Sequence, residues 1–175
     1  TVNRGLFENN ATAGIGGIEA PMACTYLGEF CGETNLHLSN ITVRNTQPDE
    51  KGRFGMGIAV IDGAQAEMDS VLIENSHYAG ILMSDNFFVD DNGVTFVEAT
   101  NLTIRDSQRE PASEAFGDGI VIGPDTIARL DRFELKDNDR CGLLMAGLSS
   151  LSEIEEIEEI EEIEEIEEIE EIEEI

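Results

Sequence analysis

Two neighbouring titratable side chains, His77 and Tyr78, lie in the stretch Asn75-Ser76-His77-Tyr78-Ala79-Gly80-Ile81 of this 175-residue chain. An imidazole takes up a proton near neutral pH and a phenol can give one, so the pair could act as base and acid in a proton transfer. The same stretch also fits an ordinary corner of the repeat described below. His77 and Tyr78 are therefore candidate catalytic residues with a purely structural alternative.

Two insertions lie on either side of this corner in the sequence, at residues 47–54 and 108–116. Both insertions follow the Asn or Asp corner of their unit. Stacked strands are about 4.8 Å apart, so two strand spacings would separate the insertions by about 10 Å and place them as walls beside His77 and Tyr78. Their mixed charge suits a sugar or uronate, and it is also typical of solvated loops. The candidate substrate-binding residues are Asp49, Glu50, Lys51, Arg53, Arg109, Glu110 and Glu114.

A third loop, residues 84–93, concentrates carboxylates around Phe87 and Phe88. Such oxygen ligands could hold a weak Ca²⁺, although their spacing differs from that of a calcium hand. The candidate ligands are Asp85, Asp90, Asp91 and Asn92. We expect no other cofactor, and no zinc site, because the two His and three Cys form no close cluster. Cys24 and Cys31 could close a small disulfide or remain two thiols, with Cys141 left over.

A unit of about twenty-three residues positions all of these side chains. Its mark is a hexapeptide of the form apolar-x-apolar-charged-Asn/Asp-small, preceded by a second alternating stretch and followed by Gly-aliphatic. The copies begin at Gly5, Ile41, Val71, Leu102 and Phe133. Period-two alternation in short pieces predicts strands, and strands that cannot pair within a unit must pair with the next unit. The repeat therefore predicts an all-β solenoid of parallel strands over residues 1–150, with about five coils and three short strands in each.

Alternate residues of the first two strands of each unit are apolar and are expected to stack as ladders inside the solenoid. The expected inward residues are Leu36, Leu38, Ile41, Val43, Ala66, Met68, Val71, Ile73, Val97, Ala99, Leu102, Ile104, Ala128, Leu130, Phe133 and Leu135. The charged position of the hexapeptide points outward and mostly alternates in sign, as Glu8, Arg44, Glu74, Arg105 and Lys136. The Asn or Asp that follows suits a bend, because these residues tolerate the left-handed conformation.

The Gly-aliphatic strands are also apolar on their outward side, at Ala59, Leu82, Val121 and Leu144. A stacked apolar face is seldom left in water. We therefore expect Phe87 and Phe88 to fold over it.

The Asn-Asn/Asp-Ser corner followed by Gly-Ile resembles the right-handed parallel β-helix family, which includes pectate-lyase-like and NosD-like repeats, over residues 2–147. The resemblance implies a right-handed coil, a polysaccharide partner and an extracellular, periplasmic or cell-surface location. The stretch around His77 is similar to the Asn-x-x-Tyr-Gly of alginate epimerases and lyases, with an extra Ala79, which implies proton abstraction beside a uronate carboxylate. The Gly-His-Gly and Arg-x-Lys motifs of polygalacturonase-type hydrolases are absent from the sequence.

Three functions remain open from the sequence. The first is a non-catalytic surface or secreted segment that binds polysaccharide at the inserted loops. The second is a polysaccharide lyase or uronate epimerase, and the third is a purely structural stalk or adhesin segment. Fold analogy cannot decide between them.

Charge and composition exclude two classes of partner. The formal net charge is −28, and removing the 15 glutamates of residues 153–175 leaves −13 for the first 152 residues. This acidity argues against nucleic acid and anionic membranes, and no stretch is long enough to span a bilayer. Because Thr1 falls inside a repeat, the domain is expected to be a fragment open at its N-terminal end. The oligomeric state stays open.

Residues 151–175 form a low-complexity tail with an Ile at every third position from Ile154. On an α-helix such a stripe circles the axis, so no fixed apolar face results. The tail is expected to be disordered or a single helix. The alternative is that its first residues cap the last coil, whose core and strand edges would otherwise be exposed.

Overall fold

The computed structural model describes residues 1–18, 34–85, 94–146 and 150–154, with side chains described except at Ile18 and residues 150–154. These residues form eleven β-strands, and no helix occurs among them. The tail was predicted to be disordered or a helix from residue 151, and this is wrong for residues 151–154, which belong to a strand that spans Ser150–Ile154. The rest of the tail lies outside the described residues.

The strands form two sheets in which every neighbouring pair is parallel. The first sheet contains, in spatial order, β1 (Val2–Glu8), β3 (Asn35–Arg44), β5 (Gln65–Glu74), β7 (Thr95–Arg105), β9 (Thr126–Lys136) and β11 (Ser150–Ile154). The second contains β2 (Ala13–Ile18), β4 (Met56–Ile61), β6 (Ala79–Ser84), β8 (Asp118–Ile122) and β10 (Leu143–Met145). The prediction of an all-β fold with parallel pairing between successive units is confirmed.

Equivalent positions of the repeat are register partners across each sheet. Ile41 pairs with Val71, Val71 with Leu102, and Leu102 with Phe133. We call such a row of register partners a column. Columns arise because the chain passes from the first sheet to the second and back within each unit, so the next unit adds its strands at the same edges.

The first two strands expected in each unit run together as one strand of ten or eleven residues in β3, β5, β7 and β9. A left-handed residue bends each of them near its middle, and these residues are Asn40, Ser70, Asn101 and Arg132. The Asn or Asp at the fifth position of each hexapeptide has φ between 51° and 58°, as the corner prediction required.

The interior core lies between the two sheets. All of the expected inward residues are buried except Leu36, Phe133 and Leu135, which are half-buried and pack against the same core. The second sheet contributes its own buried residues to this cluster, namely Ile58, Val60, Ile81, Met83, Ile120 and Ile122. The period-two pattern therefore identified the inward face correctly.

The opposite face of the second sheet carries a second apolar cluster, formed by Met56, Ala59, Ile61, Ala79, Leu82 and Val121. None of these side chains is more than 6 % exposed. The expectation that this face is kept from water is confirmed, whereas Phe87 and Phe88, expected to cover it, lie outside the described residues.

Packing requires the glycine in four of the five Gly-aliphatic pairs, at Gly14, Gly57, Gly80 and Gly119, whereas a Cβ on Gly142 would come no closer than 3.2 Å to Leu135. A Cβ on Gly80 would overlap a methyl group of Ile104 and lie 2.7 Å from the carbonyl oxygen of Gly119. A Cβ on Gly57 would meet Ile73 and the carbonyl oxygen of Gly80 in the same way. The two sheets approach too closely at these four glycines for any side chain.

Candidate functional site

Three aromatic residues at one corner, Phe54, Tyr78 and Phe116, adopt the left-handed conformation, with φ between 63° and 65°. Bulky residues rarely do so. Backbone hydrogen bonds hold them one above another, since the Tyr78 N–H donates to the Gln108 carbonyl (3.1 Å) and the Gly117 N–H donates to the Tyr78 carbonyl (2.8 Å). The corner therefore turns three aromatic side chains toward the same side, and we call them the aromatic column.

The rings of the aromatic column are in contact. The centroids of Tyr78 and Phe116 are 4.0 Å apart in a stacked arrangement, and those of Phe54 and Tyr78 are 6.3 Å apart and tilted. A guanidinium lies over each outer ring, with Arg53 5.5 Å from the centroid of Phe54 and Arg140 5.1 Å from that of Phe116. All three rings are half-buried.

The two inserted loops meet beside Tyr78 instead of standing apart as two walls. The Phe54 N–H donates to Oε1 of Glu110 (2.7 Å), and the Ala112 N–H donates to the Gly52 carbonyl (2.9 Å). The other oxygen of Glu110 accepts a hydrogen bond from the Ser113 hydroxyl (2.6 Å), and Glu110 is 6 % exposed. A buried carboxylate with all these partners fixes the loops to each other.

The first loop is shaped by Asp49. Its Oδ1 accepts the backbone N–H groups of Lys51 (2.8 Å) and Arg53 (2.9 Å), and its Oδ2 accepts Nη2 of Arg53 (2.8 Å). These hydrogen bonds, the Arg53 side chain first, hold the pKa of Asp49 below its usual 3.8. Asp49 and Arg53 thus maintain the loop.

The remaining candidate binding residues, Glu50, Lys51, Arg109 and Glu114, are exposed on the two inserted loops. The Arg109 backbone N–H donates to the Asp139 carboxylate (3.0 Å), which ties the second loop to the next corner. Exposed charged groups of both signs therefore lie on the two loops that carry Phe54 and Phe116.

His77 and Tyr78 are both engaged at this corner. Nδ1 of His77 lies 3.0 Å from the Thr46 carbonyl oxygen, and because a carbonyl only accepts, Nδ1 carries the hydrogen. Burial, followed by the charge of Glu110, raises the pKa of Tyr78 above its usual 10.0. The phenol is therefore neutral at physiological pH and a weaker acid than an exposed tyrosine.

An ion pair between the buried Asp118 and the partly exposed Arg140 lies at the end of the aromatic column. The Asp118 carboxylate is fully buried and accepts Nε of Arg140 (2.7 Å), with a second bond from Nη2, and the Cys141 thiol donates to its Oδ1 (3.0 Å). The hydrogen bond to Asp118 raises the pKa of Arg140, and burial raises the pKa of Cys141 above its usual 9.0, so the thiol is protonated at neutral pH.

This cluster was not predicted from the sequence. A signal was available, because Asp118 is the register partner of Ala79 and stands in a column that is otherwise apolar. A charged residue at such a position needs a partner of opposite charge.

The predicted calcium and disulfide residues are mostly outside the described part of the chain. Asp85 alone is described and is buried, while Asp90, Asp91, Asn92, Cys24 and Cys31 lie outside. Among the described residues, no three His, Cys, Asp or Glu side chains are grouped as a metal site would need. Within the same residues, no helix has the length and hydropathy to cross a membrane.

Comparison with protein-family models, with curated proteins and with solved structures finds no match for this chain.

Proposed function

We propose that the chain is a right-handed parallel β-helix of about five coils and a non-catalytic segment that binds polysaccharide at the corner formed by residues 47–54 and 108–116. The alternation of the chain between two parallel sheets around one core supports the coil. Parallel strands joined by a crossover are right-handed in about 98 % of cases, which supports its hand.

The junction of the two loops through Glu110 carries the binding proposal. A site whose loops are already fixed loses little conformational entropy when a ligand binds. The half-exposed aromatic column offers an apolar surface to the C–H groups of a sugar ring, and the exposed Lys51 and Arg109 offer hydrogen-bond donors to its hydroxyls or carboxylates. Polysaccharide outside the cell is the matching partner, in agreement with the extracellular location implied by the β-helix resemblance.

Affinity electrophoresis in gels that contain neutral polysaccharides or polyuronates tests the proposal. Retardation of the wild-type chain is expected in at least one gel. In polyuronate gels, Lys51→Ala with Arg109→Ala should weaken retardation several-fold, because both cations are lost from the corner. Arg129→Ala is the matched control, since Arg129 is an exposed cation on β9 over the ring of Phe96.

Two outcomes would contradict the proposal. The first is wild-type mobility that no polysaccharide changes, which would favour a structural stalk. The second is equal weakening by the control variant, which would mean that binding is a general charge effect.

A lyase or epimerase is the second candidate, because the Thr46 carbonyl fixes the tautomer of His77 and leaves Nε2 as the basic nitrogen of the neutral ring. The raised pKa of Tyr78 opposes it, since catalysis at neutral pH favours a phenol of lowered pKa. Incubation with alginate and polygalacturonate, followed by ultraviolet absorbance for unsaturated ends and NMR for epimerised residues, separates the two. Activity that is lost in His77→Gln would establish the enzyme and remove the non-catalytic proposal.

A further inference from the structure

A recess opens on the outward side of the first sheet, at the beginning of β3, β5 and β7. Its empty volume, open solvent included, is about 230 Å³. The ten residues of β5 separate it from the corner of His77 and Tyr78, so it is distinct from the site proposed above. The lining includes Asn35, Leu36, His37, Gln65, Glu67 and Phe96.

The repeat brings the polar side chains of the recess together in two neighbouring columns. Asn35, Gln65 and Phe96 are register partners in one column. His37 and Glu67 are partners in the next outward column, two residues further along each strand. Adjacent strands are about 4.8 Å apart, so polar groups of two strands and the ring on the third border the same small space.

Several hydrogen-bonding groups of the recess have no partner within the described part of the chain. Nδ1 of His37 lies 2.8 Å from Oε2 of Glu67. Because a carboxylate only accepts, Nδ1 carries the hydrogen, and Nε2 of the neutral ring can accept another. Among the described residues, Oε1 of Glu67 and the side-chain amides of Asn35 and Gln65 make no hydrogen bond. The recess therefore offers two acceptors, and two amides that each both donate and accept.

The charge beside the recess is negative. Glu98 is the register partner of Glu67, and like charges at such positions repel. Neither carboxylate forms an ion pair with a lysine or arginine among the residues that the structure describes. Arg129, the next residue of the column, lies over the ring of Phe96, with Cζ 5.4 Å from the centroid. A ligand with a positive charge beside Glu67 would reduce the repulsion between the two carboxylates.

An ammonium group matches the two acceptors, because it has three donors and no acceptor. Sugar hydroxyls, which both donate and accept, match the amides of Asn35 and Gln65. The ring of Phe96 offers an apolar surface to sugar C–H groups. Pockets for drug-sized ligands have about 300–1,000 Å³, so this smaller recess suits a single sugar residue. A metal ion matches less well, since no three metal-ligating side chains are grouped in the described ranges.

We propose that this recess binds an amino sugar whose amine is free and protonated, with the ammonium on Glu67 and His37 and the hydroxyls on Asn35 and Gln65. The site does not depend on the polysaccharide corner. The net charge of −28 raises the local concentration of cationic ligands. Because an exposed ion pair contributes little, we expect a dissociation constant of about 1–10 mM for glucosamine.

An NMR titration of the isotope-labelled full chain with glucosamine at neutral pH tests the proposal. Saturable shifts are expected at the backbone amides of residues 35–37 and 65–67 and at Phe96. Glucose and N-acetylglucosamine have the same ring without the positive charge, and should bind at least about tenfold more weakly. Methylamine has the charge without the hydroxyls and should also bind more weakly.

Three variants separate the contacts. Glu67→Gln should weaken glucosamine binding about fivefold to tenfold, because the charge is lost while an oxygen acceptor remains. Glu134→Gln is the matched control, since Glu134 is an exposed carboxylate outside the recess, on β9 between two residues that pack against the core, Phe133 and Leu135. Gln65→Ala should weaken glucosamine binding several-fold and leave methylamine binding unchanged, because it removes only a contact to hydroxyls. Thermal melting checks that each variant is folded.

Four outcomes would overturn the proposal. They are the absence of saturable shifts up to about 50 mM glucosamine, equal affinity for glucose or N-acetylglucosamine, equal effects of Glu67→Gln and Glu134→Gln, and shifts confined to residues 47–54 and 108–116. The last outcome would assign the amino sugar to the polysaccharide corner. A negative result leaves the proposal for that corner unaffected, because binding there is measured with neutral and anionic polymers.

Discussion

The ion pair between the buried Asp118 and the partly exposed Arg140 allows the sharpest test of how this corner is stabilised. Replacing Arg140 by alanine leaves a fully buried carboxylate without its cation. Replacing Asp118 by alanine instead extends the column of Ala79 and leaves an arginine whose side chain is already 39 % exposed and can reach water. We therefore expect the two alanine substitutions to differ greatly in cost.

The magnitudes follow from burial. Breaking a buried ion pair costs about 3–5 kcal/mol, and because the guanidinium is partly exposed and screened, we expect about 2–3 kcal/mol for Arg140→Ala. Asp118→Ala should cost about 1 kcal/mol, since no charge is stranded. The double variant should resemble Asp118→Ala, so the coupling energy of the pair is about 2–3 kcal/mol, equal to the cost of Arg140→Ala. At 2–4 °C for each kcal/mol, Arg140→Ala should lower Tm by roughly 4–12 °C.

Urea unfolding followed by far-ultraviolet circular dichroism measures the four free energies. Arg140→Met is the control for packing, because it retains an unbranched stem beside Phe116 without the charge. A loss with Met close to the loss with Ala would assign the effect to the charge. If Asp118→Ala is as costly as Arg140→Ala, or if the two effects add, the stranded carboxylate does not explain the destabilisation.

Three further outcomes are expected. Gly80→Ala should destabilise the chain by about 3 kcal/mol or more through overpacking, whereas Gly16→Ala should change stability by less than about 0.5 kcal/mol. Urea unfolding curves that are the same for the two variants would contradict the close approach of the sheets at Gly80. Because folding lowers the pKa of Asp49, its stabilisation of the first loop should be complete above pH 3.8 and should disappear as the pH falls through the lower pKa of the folded chain. An NMR titration of the Asp49 carboxyl should show its pKa returning toward 3.8 in Arg53→Gln. An unchanged pKa in that variant would contradict this explanation. Cys141, with its raised pKa, should react with iodoacetamide at pH 8 more slowly in the native than in the unfolded chain, as peptide mapping would detect, and equal rates would exclude burial as the cause.

The regular part of the fold could be predicted from the sequence because each unit repeats the same constraint. A one-residue slip would move an entire apolar set outward, so the alternation in Val71–Ile73 and its copies fixes both the inward face and the register. The left-handed corners followed from Asn and Asp at a constant offset. The number of strands was less accurate, because Ser70 and its equivalents bend a strand without ending it.

The candidate site could be located but not assembled from the sequence. The insertions at residues 47–54 and 108–116 were found as breaks in the period, and the pair His77 and Tyr78 was found at the short corner between them. The contact between the two insertions through Glu110 was not predicted, because residues of an insertion have no equivalent positions in the neighbouring units. The aromatic column was missed for the same reason, since Phe54 and Phe116 end insertions of different length.

The sequence by itself determined the parallel strands, their register, the inward face and the glycine column, because these depend on distances along the chain that repeat in every unit. Only the tertiary structure decided which irregular residues meet. Glu110 bonds a backbone N–H 56 residues away, and Asp118 pairs with Arg140 across 22 residues. Such contacts depend on the conformation of each loop over the neighbouring strand and on which buried charged group it contacts there. The spacing of residues along the chain specifies neither.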